Sequence, residues 1–171
     1  MELEHVVADP PVTNQILAEL TDDGAGRLSY RGGRYLLIRP ETLAALQHAL
    51  ETVLGAAAAD CFLAGGRAGG GKATASLGHE GRARVEALLA MGTRIGWGRF
   101  ALERYAPDEM IVTVSGSPFA EAYGPASAPV CHLTRGVLDA LASTVLPGRP
   151  QVTETACAAT GAGICRFEVR V

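Results

Sequence analysis

The sequence predicts an α+β domain in which an antiparallel sheet packs against a helical layer. Three observations predict it. Strand-like runs come in pairs around turn residues, near 28–39, 100–115 and 151–171, and the pairs are separated by blocks in which apolar residues recur every three or four positions. The last run alternates: Cys165, Phe167, Val169 and Val171 share one face, whereas Arg166, Glu168 and Arg170 share the other. Cys165 is therefore expected to point into the core.

Taken in order, Thr13 is expected to cap a short helix through Ile16, Leu17 and Leu20 that stops at Thr21-Asp22-Asp23-Gly24. Residues 28–31 and 34–39 flank Gly32-Gly33, which can adopt positive φ, so a β-hairpin is expected there. Pro40 suits a first helical position, Glu41 favours the positive helix end, and Leu43, Leu46, Leu50, Val53 and Leu54 form a helical stripe. Residues 56–77 are rich in alanine and carry Gly65-Gly66 and Gly69-Gly70-Gly71, each costing about 1 kcal/mol relative to Ala inside a helix. Either the helix breaks there or bare backbone admits a neighbouring helix, and the second reading is preferred. Residues 80–97 place Val85, Leu88, Leu89, Gly92 and Ile95 on one side of an amphipathic helix. Ala106-Pro107-Asp108-Glu109 is the turn of a second hairpin. Val130, Leu133, Val137, Leu141 and Val145 mark a further helix, stopped by Pro147-Gly148. The closing strands enclose a loop holding Gly161 and Gly163.

The chain has 171 residues, 48% of them apolar, enough for one core without disulfides. Its formal charge of −3, with both signs dispersed, provides no cationic field for a nucleic-acid backbone. The N-terminus is acidic and lacks an apolar run, and no stretch approaches the ~18 apolar residues of a membrane span. A cytoplasmic location without membrane or direct nucleic-acid partners is expected. There the four cysteines are expected as thiols or thiolates.

Cys157 and Cys165 bracket a glycine-containing loop, Glu154 lies just upstream on a strand, and Cys131 opens the helix leading into that hairpin. A helix start lowers the cost of a thiolate at Cys131. Glu154 and Cys157 would face opposite sides of a continuous strand, so the backbone is expected to leave strand geometry between Thr155 and Ala159. Three thiolates and a carboxylate make a closed tetrahedral zinc site, structural because no position is left for water. The alternative reading is three separate buried thiols. Cys61 could replace Glu154 as the fourth ligand, but it adjoins Phe62 and Leu63 in the alanine-rich run and is read as packing.

The succession Cys131, Glu154, Cys157, Cys165 resembles the zinc signature of the 4-vinyl-reductase (hydrocarbon-binding) domain family. So do Gly96-Trp97-Gly98, the Ser117-Pro118-Phe119-Ala120-Glu121-Ala122-Tyr123 block and the closing Cys165-Arg166-Phe167. That family includes the sensor domains of phenol- and toluene-responsive activators and is similar in fold to vesicle-tethering TRAPP subunits. The resemblance covers about residues 27–171. It implies a TRAPP-like ligand-binding domain, commonly a homodimer, with structural Zn2+ on Cys131, Glu154, Cys157 and Cys165 and an apolar cavity nearby. Residues 1–26 are then an N-terminal arm, a candidate for dimer formation. Phenol-sensing relatives usually carry tryptophan where this chain reads Ser117-Pro118-Phe119, so the hydrogen bond it gives a phenolic hydroxyl is missing. Only six residues follow Cys165, so output is expected to pass through a separate signalling or enzyme partner, or through ligand carriage.

Five of the nine aromatic residues, Trp97, Phe100, Tyr105, Phe119 and Tyr123, fall within 27 positions and suit a pocket wall, with His79 and His132 as further polar handles. Ordinary core packing is the competing reading. No catalytic constellation emerges. Gly66 to Lys72 mimics a phosphate loop but continues with Ala73, and Ser115-Gly116-Ser117 lacks the glycines of a nucleophile elbow. The preferred expectation is a non-catalytic, stand-alone domain that senses or carries a small apolar or aromatic molecule. The alternative is an accessory protein of an enzyme pathway, such as tetrapyrrole vinyl reduction, that holds substrate or partner.

Overall fold

A computed structural model describes residues 14–171 and divides the chain into two compact units, 1–36 and 37–171. Thr13, the expected cap, lies outside the described residues. Asn14 caps the first helix instead: its side chain accepts from the Ile16 and Leu17 amides at 3.0 and 3.4 Å and starts α1 (Gln15–Glu19). A small antiparallel sheet of β1 (Thr21–Asp22), β2 (Leu28–Tyr30) and β3 (Gly33–Tyr35) completes the first unit. Its β2–β3 turn has Arg31 at φ 48° and Gly32 at φ 76°, the two positive values of a tight hairpin turn. The second strand ends at Tyr35, not at Arg39.

The second unit begins with α2 (Pro40–Leu54), which has Pro40 at its start and Glu41 in its first turn. Its orientation departs from the expected one. Ala44 and Gln47 face inward, whereas Leu46, Val53 and Leu54 are 52%, 79% and 44% exposed. A short 3-10 turn, Gly55–Ala57, leads into α3 (Ala58–Ala75). Together the helical run Pro40–Ala75 is long and apolar enough to cross a membrane by length and composition, which corrects the expectation that no stretch is. Most of that apolarity comes from small residues, and α3 is packed along a neighbouring helix rather than presented on every side.

That neighbour is α6 (His132–Val145), and the preferred reading of the glycine run holds: α3 is unbroken and makes its most extensive packing with α6. A Cβ on Gly66 would lie 2.2 Å from the Leu133 carbonyl oxygen, and one on Gly136 would lie 2.2 Å from that of Leu63. Only hydrogen at these two positions lets the backbones approach so closely. Gly69 and Gly71 meet nothing within 4 Å and have no such role. Between these helices in sequence lie α4 (Gly81–Arg94), with Val85, Leu88 and Leu89 buried, and the six-residue α5 (Pro118–Tyr123), capped by Ser117.

The main sheet contains β4 (Arg99–Ala106), β5 (Glu109–Ser115), β6 (Gln151–Ala156) and β7 (Cys165–Arg170) in the order β4-β5-β7-β6, all antiparallel. Met110, Val112 and Val114 of β5 and Cys165, Phe167 and Val169 of β7 form the inner face and pack with Val85, Leu88, Leu89, Leu138 and Leu141 in one core. On the outer face, Arg166 pairs with Glu103 and Glu168, while Arg170 bridges Glu168 and Glu109 at 3.2 and 3.0 Å. The observed architecture is the expected α+β arrangement of antiparallel sheet and helices.

Candidate metal centre and crevice

Three elements bring four buried acidic side chains together. Cys131 occupies the cap position of α6, Glu154 lies on β6, Cys157 follows that strand, and Cys165 begins β7. The β6–β7 register shifts between Glu154 and Ala156. This bulge inserts the extra residue that lets Glu154 and Cys157 address the same point, as the odd spacing requires. Beyond it, a 3-10 turn at Ala158–Thr160 ends on Gly161 in the left-handed region, φ 87°, and Ala126 donates from its backbone to the Ala159 carbonyl at 2.9 Å. The loop is thus tied to the segment after α5.

One potential ligand atom from each of the four residues lies within 4.8 Å of the others. The Cys131 sulfur is 3.9 Å from that of Cys157 and 3.6 Å from that of Cys165. For a tetrahedron with zinc–sulfur bonds of about 2.3 Å, the sulfur–sulfur edge is about 3.8 Å. Glu154 accepts from the Cys131 amide at 2.9 Å through Oε2, whereas its Oε1 is buried without a hydrogen-bond partner among the described residues. Such an orphaned carboxylate oxygen is costly unless a cation meets it. The donor set and its spacing therefore fit a metal ion.

The electrostatics agree with that geometry. Hydrogen bonds from the Cys131 and Cys165 thiols hold Cys157 well below the ordinary thiol range. Bonds to Cys157 and Cys165, followed by burial and the Glu154 charge, push Cys131 far above it. Burial first, then the bond to Cys157, raises Glu154 to about 8. At Cys165 the Cys131 thiol acts downward, but the bond to Cys157 and burial act upward and leave it at about 11. Four acids this close cannot all ionise on their own; a divalent cation among them removes the conflict. Ser117 Oγ at 3.5 Å from the Cys131 sulfur and the Ala158 amide at 3.4 Å from the Cys165 sulfur can temper the remaining negative charge.

The other singled-out residues are dispersed. Trp97 meets Phe119 edge to face, with ring centroids 4.8 Å apart. Phe100 lies against Gly92, where a Cβ would be 3.0 Å from the ring. The Tyr105 hydroxyl donates to the Val145 carbonyl at 3.1 Å, and the Tyr123 hydroxyl donates to Glu51 at 2.7 Å. His79 is exposed, and His132 is half-buried with Nδ1 lacking a partner among the described residues. In Gly96-Trp97-Gly98, Gly98 has φ 100°, and a Cβ there would lie 2.8 Å from the Gly116 carbonyl oxygen, so that position demands glycine.

A crevice of about 260 Å³, including its open mouth, lies between α2, α3, α5 and the start of α6. Leu43, Ala44, Gln47, Phe62, Phe119, Val130 and Leu133 line it. Only Phe119 among these was expected to face a ligand. The others escaped sequence reasoning because Ala44, Gln47 and Phe62 look like ordinary helix positions until the helix rotations are known. Cys61, the weighed alternative ligand, is exposed and outside the cluster.

Residues 110–171, from β5 to the last residue and including the whole cluster, match the model of the vinyl-4-reductase domain family. The fold is similar to the phenol-responsive sensory domain of the transcription activator PoxR with phenol, at 20% identity and TM-score 0.79, covering 91% of this chain and 86% of that one. It is also similar to a trafficking protein particle complex subunit 3 from Naegleria fowleri covalently bound to palmitic acid, at 14% identity and TM-score 0.55, covering 77% of this chain and 93% of that one. A vinyl-4-reductase family protein from Methanocaldococcus jannaschii matches at 17% identity and TM-score 0.45, covering 59% of this chain and 64% of that one. No curated protein matches the chain.

Proposed function

We propose that this protein is a non-catalytic binding domain, held together by structural zinc, that senses or carries a small apolar or aromatic molecule. The observation that carries the reading is the closed, fully buried set of Cys131, Glu154, Cys157 and Cys165 at the foot of the sheet, next to a helix-lined crevice. Four protein ligands leave no position for a reacting water, so the metal fastens α6 to the β6–β7 hairpin and does no chemistry. The fold shared with a sensory domain supports a ligand-responsive role. A tetrapyrrole far exceeds the crevice, so the accessory role in vinyl reduction receives no structural support. Native mass spectrometry of protein purified without chelator tests the reading: one zinc per chain and a trapped small molecule are expected. A metal-free chain that is stably folded overturns it.

The same reading includes a homodimer built on α2. Leu46, Leu50, Val53 and Leu54 recur at helical spacing on its outer side, and such a contiguous apolar stripe on a soluble domain marks a covered surface. Residues 27–171 form the ligand-binding domain in this view, and the preceding arm is free to add to the dimer contact.

A further inference from the structure

Of the residues lining the crevice, Gln47 alone has a polar side chain, and it is 6% exposed. Its amide nitrogen donates to Glu51 Oε1 at 3.0 Å and to the Val130 carbonyl at 3.2 Å. Both partners are pure acceptors, so the amide has one allowed orientation; turned over, it would set oxygen against two oxygens. Its carbonyl oxygen is left over, and no donor among the described residues reaches it. The neighbouring acceptors are engaged. Glu51 Oε2 takes the Tyr123 hydroxyl, and the Val130 carbonyl also accepts from the His132 amide at 2.9 Å. Around this oxygen the walls are apolar: Leu43, Ala44, Phe62, Phe119 and Leu133.

We infer that the crevice takes a compact apolar molecule bearing one hydrogen-bond donor, and that the fixed Gln47 carbonyl selects it. This rests on the small-molecule reading above and adds the chemical class and the selecting residue. A ligand with hydroxyl or N–H satisfies the oxygen, whereas an ether or plain hydrocarbon of the same shape buries it unpaired. The crevice lies below the roughly 300–1,000 Å³ common for ligand pockets, so a single ring or short chain is the size that fits.

The test uses the full chain purified with its metal and methyl-labelled for NMR, titrated with benzyl alcohol and with benzyl methyl ether. The alcohol is expected to bind at least about tenfold more tightly and to shift the methyl resonances of Leu43, Val130 and Leu133. In Gln47→Met the ratio is expected to fall to near one. Should that variant fail to fold, the wild-type ratio decides alone. Equal affinities, or preference for the ether, overturn the inference. Shifts confined to Leu88, Leu89 and Val114 also overturn it, while leaving small-molecule binding itself intact. If neither probe binds but a trapped molecule is seen by native mass spectrometry, the crevice assignment fails and the broader reading stands.

Discussion

Glu154 directs its two oxygens to different partners. Oε2 receives the Cys131 amide and fixes the start of α6, and Oε1 is left bare among three sulfurs. With zinc as the fourth member of this arrangement, Cys157→Ser is expected to abolish stoichiometric zinc, measured by elemental analysis, and to lower stability by about 3–5 kcal/mol, the range for breaking a buried charged set. Glu154→Gln keeps the shape but removes a charge. A fall in zinc affinity of at least about tenfold is expected, read by competition with a chromophoric chelator. Tyr123 supplies the pH-dependent prediction. Burial first, then its bond to Glu51, raises its phenol from 10.0 to about 12. A raised acid keeps its folded-state contribution below the unfolded value and loses it as pH climbs through the folded one. Stability supported by Tyr123 is therefore expected to decline between pH 10 and about 12. Tyr123→Phe should remove the latest component from an ultraviolet titration; if that component persists, another tyrosine is responsible.

Among the elements, the α3–α6 crossing is the most exacting. Gly136→Ala places a methyl 2.2 Å from the Leu63 carbonyl and against backbone that cannot swing aside. A loss of about 1–3 kcal/mol is expected. Gly69→Ala, with nothing within 4 Å, should instead gain up to about 1 kcal/mol through helix propensity. Thermal melts of the two variants should move in opposite directions. The glycine run hinted at this contact because five glycines inside a helix require compensation, yet it could not say which of them meet a neighbour. Strand alternation in residues 165–171 and the Pro107-Asp108 turn were legible for the same reason: each is a local signal with one geometric meaning. The orientation of α2 was not, since its leucines are stronger apolar signals than Ala44 and Gln47, although packing chose the smaller pair. The helix α5 was also missed, although Ser117 at the cap and Pro118 at the first position are the usual signature of a start. As for the cluster, sequence spacing named its four residues and located the departure from strand geometry. The crevice walls depended on helix rotation and stayed hidden.

For the whole molecule, the exposed stripe on α2 decides the assembly. Leu46→Glu combined with Val53→Glu is expected to convert a dimer into a monomer in sedimentation or native mass spectrometry, with zinc content unchanged. A wild-type chain that is monomeric at high micromolar concentration would contradict the dimer. The ion pairs across the outer sheet face carry little weight in comparison, since exposed pairs contribute about 0–1 kcal/mol each. Stability of the second unit instead rests on the core shared by β5, β7, α4 and α6 and on the cluster at its edge.

The register shift at Thr155 gives the hairpin an uneven tolerance to changes of length. At the tip, between Ala159 and Gly163, residues could be added or trimmed while both anchoring sulfurs stay where they are. Deleting one residue just before Cys157 would turn its side chain to the other side of the ribbon and leave a three-point grip. Variation in this chain should therefore gather at the tip and stop abruptly two residues before the cysteine.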